Sequence, residues 1–245
     1  MSILNPNATP ARTRRLDGRR AYEVSDGIFA IRGLKTGRSY IFEEAGALTL
    51  VDTSTGHVAD RILEAIAEIG HRPEDLRTIV ATHYHHDHTG NVAALVERTG
   101  ATFCVHADDV PYVDGRQPWM PLKPPFGFMD GLGPKPYSLP VERTLHDGDV
   151  IDSAGDLRVL HAPGHTPGHI ALHSARRSIL FAGDALMNTL GLRLPLSMAS
   201  HDMDEAKQSA RRLGELDYHV ALPGHGNPIL SEASVKVAEW VQAWG

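Results

Sequence analysis

The stretch Thr82–Gly90, which reads THYHHDHTG, limits the possible folds of this chain more than any other feature. Between His83 and His88 it holds four histidines and one aspartate in six positions. Imidazole and carboxylate groups are costly to bury without partners and add little as surface filler. They are, however, the usual protein ligands of zinc and similar borderline metals. The stretch therefore predicts a metal site to which other parts of the chain contribute ligands.

The predicted secondary structure places this cluster at the end of a strand. Thr78–Ala81 is a short apolar run that leads directly into the histidines, and a helix is predicted from about Asn91 to Glu97. Proteins that alternate strands and helices place their chemistry in loops at strand ends. Side chains two residues apart in an extended segment point to the same side, so His83 and His85 are predicted to converge on one ion.

Asp87 and His88, which follow His85 by two and three positions, are predicted to face a neighbouring point, and one loop cannot complete two coordination shells. Three later segments place a further metal-binding side chain at the end of an apolar run. Each has glycine beside it, which lets the backbone approach closely. These residues are His165 in APGHTPGH, Asp184 in FAGD and His225 in LPGHG.

Hydrophobic periodicity and turn residues predict strands and helices on both sides of these loops. Strands are predicted at Ala21–Val24, Gly27–Arg32, Ser39–Glu43, Leu48–Asp52, Ala101–Val105, Val150–Ile151, Leu157–Leu160, His169–His173, Ser178–Phe181 and His219–Leu222. Helices are predicted at Val58–Ile69 with Gly70 as the C-cap, from Asp202 to Leu213, and over the apolar positions Val237, Trp240, Val241 and Trp244.

Residues 1–20 are predicted to be a flexible N-terminal arm, although their five arginines would also suit an organellar transit peptide. Residues 21–245 are predicted to form a single domain, in which residues 111–140 hold eight of the sixteen prolines and little regular structure. Two interpretations of this Pro-rich segment stay open. It forms a lid or pocket wall that offers Trp119, Phe126, Phe128 and Met129 to a substrate, or it forms a contact in a homodimer.

Composition narrows the class of protein and its partners. The net charge of -6 and a pI near 6.2 argue against a nucleic-acid surface. No apolar run approaches ~18 residues, so no membrane span is predicted, and the absence of a signal peptide predicts a cytoplasmic protein. The one cysteine, Cys104, excludes an internal disulfide and a Cys-rich zinc site, and is predicted to be a buried hydrophobic residue.

The order of these motifs, HxHxDH, then PGHTPGH, then AGD, then PGHG, resembles the metallo-β-lactamase fold superfamily from about Gly27 onwards. The resemblance implies an α+β fold, an αββα four-layer sandwich, with a two-metal site on one edge. It implies that His83, His85 and His165 hold the first metal, that Asp87, His88 and His225 hold the second, and that Asp184 bridges both. His86 occupies a variable position of the motif and is not implied as a ligand.

The chemistry implied is hydrolysis by a metal-bridging hydroxide, because metal coordination lowers the pKa of bound water from about 15.7 towards ~7. The substrate is then a small molecule, namely an ester, thioester or lactone. Asp87 is the predicted catalytic residue, orienting the hydroxide or passing a proton to the leaving group. Zinc is the expected metal of both sites, with iron or manganese as alternatives for nitrogen and oxygen ligands.

Within the superfamily the motifs resemble the glyoxalase II and lactonase branches. Glyoxalase II enzymes carry a C-terminal helical extension, whereas only about twenty residues follow His225 here. Lactonases that open acyl-homoserine lactones place a tyrosine three residues after the bridging aspartate, where this chain has Met187. Two alternatives remain, a β-lactam hydrolase and a persulfide dioxygenase with one iron. The retention of both His88 and His225 favours two metals and hydrolysis over the iron enzyme.

Overall fold

The large sheet begins with four antiparallel strands: β1 (Ala21–Ser25), β2 (Ile28–Ile31), β3 (Tyr40–Glu44) and β4 (Ala47–Val51). The computed structural model describes residues 16–127 and 137–244. Ala45 and Gly46 connect β3 to β4 with φ angles of 50° and 83°. Two successive positive φ values are what a two-residue hairpin turn needs to match the twist of its strands, so the predicted break at Ala45–Gly46 is confirmed.

The same sheet then continues in parallel with helical crossovers. In chain order these elements are α1 (Ala59–Glu68), β5 (Leu76–Val80), α2 (His86–Thr89), α3 (Val92–Thr99), β6 (Thr102–His106), α4 (Val110–Val113) and β7 (Arg143–Leu145). Strands β4 to β7 pair in parallel, which completes a seven-stranded sheet in the order β1-β2-β3-β4-β5-β6-β7. Parallel neighbours need crossovers, and here α1 and α3 supply two of them.

A second sheet has four strands in the order β13-β10-β9-β8. Its elements, with the hairpin and helices that connect them, are β8 (Arg158–His161), β9 (Ile170–Ser174), β10 (Ile179–Gly183), β11 (Met187–Asn188), β12 (Leu192–Arg193), α5 (Met203–Gly214), β13 (Val220–Pro223) and α6 (Ala233–Gln242). Strands β10 and β13 pair in parallel, while β8, β9 and β10 are antiparallel.

Three apolar clusters show how these elements are layered. The central cluster lies between the two sheets, where Phe181 of β10 meets Phe42 of β3 with ring centroids 6.2 Å apart. The second covers the outer face of the large sheet with residues of α1 and α3, such as Ile62 and Leu95. The third covers the small sheet with residues of α5 and α6, such as Val237. Each sheet is thus buried on both faces, and the predicted αββα sandwich is confirmed.

The differences from prediction are local. The predicted strand at Val150–Ile151 is wrong, because only a single bridge from Val150 to Arg158 forms there. Helix α4 begins the Pro-rich segment, where little regular structure was expected. Of the predicted arm, residues 16–20 are described, and the backbone N–H groups of Arg19 and Arg20 donate to the Glu68 carboxylate of α1. The rest of the arm lies outside the described residues.

None of the helices in the described ranges has the length and apolar character needed to cross a membrane.

Candidate metal centre

The predicted ligands meet at one edge of the sandwich because four strands end there. His83 and His85 follow β5, and His165 lies in the loop from β8 to β9. Asp184 comes directly after β10, and His225 follows β13 two residues after its end. Strand ends carry backbone that is no longer paired in the sheet, so their loops are free to turn side chains towards one point.

Three imidazoles form the first group of ligand atoms. The nitrogens offered by His83, His85 and His165 all lie within 4.8 Å of one another. His85 Nδ1 is 3.0 Å from His165 Nε2. His83 Nε2 is buried and has no hydrogen-bond partner. An unpaired buried nitrogen costs free energy unless something else binds it, and a metal ion would do so.

The second group combines a carboxylate with two imidazoles. Ligand atoms of Asp87, His88 and His225 also lie within 4.8 Å of one another. His225 Nε2 is 3.1 Å from Asp87 Oδ2 and 3.4 Å from His88 Nε2. The side chain of His88 is fully buried, whereas those of His225 and Asp87 are 21% and 31% exposed. This group therefore forms the edge of the centre that is open to solvent.

The carboxylate of Asp184 lies between the two groups. Its Oδ2 is 3.6 Å from His165 Nε2 in the first group and 3.4 Å from His225 Nε2 in the second. Its Oδ1 is 3.6 Å from His88 Nε2 and has no hydrogen bond, although it is buried. The two oxygens thus face members of both groups, as a ligand shared by two ions would.

The local backbone explains how one short stretch serves both groups. His83 and His85 lie in the irregular segment after β5, but Asp87 and His88 lie in the helical turn α2. The backbone N–H groups of His88 and Thr89 both donate to the His85 carbonyl, at 2.9 and 3.0 Å. The turn, rather than an extended backbone, directs Asp87 and His88 to the second group. His86, which lies between His85 and Asp87, belongs to neither group.

Electrostatics in the centre favour a bound cation. Burial lowers the pKa of His85 to about 4, so its ring is neutral and has a free lone pair. Burial opposes the charged form of His88 too, but Asp52, Asp184 and Asp87 outweigh it and raise its pKa to about 10. Burial also raises the pKa of Asp184. A centre with this many buried carboxylates and unpaired nitrogens fits divalent ions held by nitrogen and oxygen ligands.

Asp52 is a supporting residue that the sequence analysis assigned only to a strand. It lies at the end of β4 in a left-handed conformation with φ of 60°, and it is 2% exposed. Its carboxylate accepts hydrogen bonds from Thr82 N at 2.7 Å, Thr82 Oγ1 at 2.9 Å and His88 Nδ1 at 2.8 Å. The last bond leaves Nε2 of His88 free to bind a metal. An aspartate directly after an apolar strand was the available signal.

Two further groups orient ligands. His165 Nδ1 is 3.0 Å from Ser200 Oγ, which itself donates to the Leu196 carbonyl at 2.8 Å. Ser200 therefore accepts from Nδ1, and His165 presents Nε2 to the centre. His169 accepts a hydrogen bond from the backbone N–H of Asp184 through its Nε2, at 2.9 Å. His169 thus fixes the backbone of Asp184, one of the predicted ligands.

Asp109 joins the loops that carry the first group. It is fully buried, and it accepts hydrogen bonds from Tyr84 N at 3.0 Å, Thr166 Oγ1 at 2.8 Å and Gly168 N at 2.7 Å. Burial raises the pKa of Asp109 to about 7, against these three bonds, which favour its charged form. Tyr84 lies between two predicted ligands, so Asp109 fixes their segment against the loop of His165. No sequence pattern marked this residue.

The predicted substrate residues fall in different places. Trp119 is partly buried, donates through Nε1 to the Tyr112 carbonyl at 3.1 Å, and lies 5.3 Å from the Tyr137 ring. Phe126 is 38% exposed. Met187 is buried in β11, next to Asn188, whose N–H donates to the His225 carbonyl. Phe128 and Met129 lie outside the described residues.

Comparison with known proteins agrees with this geometry. The family described as the metallo-beta-lactamase superfamily matches residues 32–225, so the chain belongs to that superfamily. The chain is 27% identical over 205 residues to a probable metallo-hydrolase, YflN of Bacillus subtilis, covering 76% of this chain and 78% of the relative. Membership and the cluster of possible ligands together support a metal-dependent hydrolase.

Two other matches are informative. A hydroxyacylglutathione hydrolase of Pseudomonas aeruginosa is 36% identical over 114 residues, which is 45% of this chain but only 33% of that enzyme. The crystal structure of a metallo-beta-lactamase family protein from Thermus thermophilus superimposes with a TM-score of 0.68 at 27% identity. That superposition covers 91% of this chain and 80% of the other. The fold is thus shared with this family protein over most of the chain.

Proposed function

We propose that this chain is a dinuclear metal-dependent hydrolase that cleaves a small ester, thioester or lactone. One observation carries the proposal, namely the position of Asp184. Its Oδ2 lies 3.6 Å from His165 of one ligand group and 3.4 Å from His225 of the other. A shared carboxylate between two complete ligand sets is the arrangement of a two-metal site. His83 and His85 complete one set, and Asp87 and His88 complete the other.

The metals, zinc in the first instance, would supply a hydroxide nucleophile at neutral pH and polarise the carbonyl that is attacked. The residues of the chain then bind and orient the substrate and move protons. Asp87 and His225 form the solvent-exposed edge of the centre, so the substrate carbonyl approaches from that side. Burial opposes a charged Asp87, but His88 and His225 lower its pKa well below the usual range of a carboxyl. Asp87 is therefore a carboxylate placed to orient the nucleophile by accepting a hydrogen bond.

The Pro-rich segment is proposed to form a wall of the pocket rather than a dimer contact. It is attached on both sides of the centre. Near one end, the Tyr137 hydroxyl is 3.3 Å from Nδ1 of His86 in α2. Near the middle, Lys123 N donates to the Met198 carbonyl and Lys123 Nζ to the His201 carbonyl. Trp119 and Phe126 are in this segment, and the hairpin β11–β12 carries Met187 on the other side.

An apolar wall suits a substrate with an apolar acyl group. The turn of the β11–β12 hairpin exposes Leu190, which is 90% accessible, and the 196–201 segment exposes Leu196, which is 49% accessible. Both segments are connected to the centre, since Asn188 N donates to the His225 carbonyl and His201 N donates to the His165 carbonyl. We therefore propose that kcat/KM rises with acyl chain length.

The test combines metal analysis of the purified protein with a panel of p-nitrophenyl esters, acyl thioesters, lactones and a β-lactam. Two metals per chain and hydrolysis of one carbonyl class are expected, and Asp87→Asn should lower kcat by at least about 100-fold with metal still bound. One iron per chain with oxygen uptake would replace the proposal with the dioxygenase alternative. Preferential cleavage of the β-lactam would favour the alternative of a β-lactam hydrolase.

The pocket wall has its own test. Trp119→Ala should raise KM for long-chain esters more than for acetate esters, with kcat little changed. The matched control is Trp240→Ala, because Trp240 lies in α6 and packs on the outer face of the small sheet. A change in oligomeric state on removing Trp119, with equal KM for short and long esters, would assign the segment to a dimer contact instead.

A further inference from the structure

A second cluster of metal-binding side chains lies outside the centre described above. His106, Asp108 and His161 offer ligand atoms that all lie within 4.8 Å of one another. His106 ends β6, Asp108 follows it in a short helical turn, and His161 ends β8. The large and small sheets therefore both contribute, and the proposed hydrolysis uses none of these residues.

We propose that this triad is an additional cation site, which takes a borderline transition metal such as Ni²⁺ or Zn²⁺. Asp108 Oδ2 is 3.8 Å from His106 Nδ1 and 3.8 Å from His161 Nε2. Three ligands at about 2.1 Å from one ion are separated from each other by roughly 3.4–3.6 Å. A movement of a few tenths of an ångström would therefore bring the Asp108 carboxylate to that separation from both imidazole nitrogens. Its side chain is 56% exposed and free to make that movement.

The two imidazoles are already placed face to face. Their rings are stacked with centroids 4.1 Å apart and an interplanar angle of 11°. Nδ1 of His106 accepts the backbone N–H of Asp108 at 3.3 Å, so this nitrogen carries its lone pair on the side of the carboxylate. His106 is buried and His161 half-buried. Because the lone pairs of stacked rings lie side by side in the ring planes, a cation would require each ring to tilt towards it.

The surroundings are acidic. Asp147 accepts the backbone N–H of His161 at 2.8 Å, and Asp149 lies 3.9 Å from His146, whose ring is 6.2 Å from that of His106. A cationic side chain also reaches the triad, since Arg212 donates to the His161 carbonyl at 3.3 Å. Because the carboxylates outnumber this arginine, the local field favours a divalent cation.

Two existing hydrogen bonds decide which cations suit the site, and the first is the one that Nδ1 of His106 accepts from Asp108 N. His161 Nε2 donates to the Pro167 carbonyl at 2.9 Å, and a metal on that nitrogen would replace this proton. A cation that binds imidazole weakly, such as Mg²⁺ or Ca²⁺, would not compensate for the lost hydrogen bonds. Ni²⁺, Cu²⁺ and Zn²⁺ bind imidazole strongly enough to do so.

The experiment measures total metal on the intact protein. Protein already loaded at the main centre is dialysed against micromolar Ni²⁺, and zinc and nickel are counted together so that exchange at the main centre adds nothing. We expect one further metal per chain in the wild type. Asp108→Asn and His161→Gln should each weaken this extra binding by at least about 10-fold. His57→Gln, which removes an exposed histidine elsewhere, should leave it unchanged.

A second readout locates the ion. Paramagnetic Ni²⁺ should broaden the imidazole NMR signals of His106 and His161, while that of His57 stays sharp. Near-UV circular dichroism checks that each variant is folded, and Asp108→Asn alters a side chain that is mostly exposed. The proposal is overturned if the wild type takes up no extra metal, if Asp108→Asn binds it equally well, or if the signals of His106 and His161 stay sharp. In those cases His106 and His161 are a stacked imidazole pair that packs β6 against β8.

Discussion

Oδ2 of Asp52 lies 2.8 Å from Nδ1 of His88, while the other nitrogen of that ring, Nε2, faces Asp184 and His225. Asp52 thus holds the proton on Nδ1 of a fully buried histidine. A cation bound at Nε2 would displace only the other proton of the ring, while the Nδ1–H donated to Asp52 stays in place. The relationship connects the end of β4 to the helical turn α2, two elements that are far apart in the chain.

Asp52→Asn should therefore weaken metal binding without changing the fold. Asparagine tolerates the left-handed conformation at this position and can still accept the Thr82 N–H. Its amide group, however, would donate to His88 Nδ1, which forces the proton onto Nε2 and blocks that ligand. We expect metal affinity to fall by about 10- to 100-fold, measured by competition with a chromophoric chelator.

The control for this variant is Asp60→Asn. Asp60 is an exposed carboxylate of α1 that pairs with Arg98, far from the centre in the chain. The Asp60→Asn variant should bind metal as the wild type does. If Asp52→Asn also keeps wild-type affinity, then the tautomer of His88 is not controlled by Asp52.

Asp109→Asn tests the connection between the two ligand loops. The carboxylate accepts three hydrogen bonds, and an asparagine amide would turn an N–H group towards at least one of the donors. Because the side chain is fully buried, we expect a loss of about 1–3 kcal/mol in the free energy of unfolding, measured by urea denaturation of the metal-free protein. The control variant is Asp114→Asn, near the start of the Pro-rich segment. Its free energy of unfolding should change by less than about 0.5 kcal/mol.

The same variant should also disturb the first ligand group in particular. Tyr84, held by Asp109, lies between His83 and His85, and Thr166 is adjacent to His165. In the cobalt-substituted protein, we expect Asp109→Asn to alter the visible absorption bands and the variant to bind one cobalt more weakly. Unaltered cobalt spectra with lowered stability would mean that Asp109 stabilises the fold only.

The sequence indicated which side chains meet at the centre because each of them follows an apolar run. His165, Asp184 and His225 follow strands β8, β10 and β13, and glycine beside them marked the close approach of backbones. Asp52 and Asp109 were missed because their role comes from partners 25 to 59 residues away, which no local pattern encodes. In the sequence, an aspartate that supports a ligand cannot be distinguished from any other aspartate at the end of a strand.

In the fold, too, the elements that a local sequence pattern marks were predicted and the others were not. Strands β1 to β4 were predicted within one or two residues because turns such as Ala45–Gly46 separate them. The hairpin β11–β12 was missed, since strands of two residues are too short to show an alternating pattern. The helical turn α2 was missed because four residues cannot show helical periodicity, and the spacing of its histidines fits an extended segment equally well.

Gly224→Ala should prevent the centre from forming. A Cβ atom at this position would lie 2.2 Å from Oδ1 of Asp184 and 2.8 Å from Cε1 of His88. Both neighbours are buried, so neither can move aside cheaply. We expect metal content to fall below half of the wild-type value, measured by atomic emission on protein purified in parallel. In Gly214→Ala, the matched control in α5, the new methyl group meets nothing nearer than 3.2 Å, and metal content should be unchanged.

Removal of the metals should lower the melting temperature. Without cations, the centre keeps a buried carboxylate oxygen on Asp184 and a buried nitrogen on His83 that have no hydrogen-bond partner. A ligand present at 100 times its Kd stabilises a folded protein by about 2.7 kcal/mol, which for a chain of this size corresponds to roughly 5–10 °C. Dialysis against EDTA followed by scanning calorimetry should show this decrease, and added Zn²⁺ should restore the original value. His83→Ala removes one ligand, so Zn²⁺ should raise its melting temperature by less than half as much. An equal rise in that variant would show that the stabilising metal binds outside the centre.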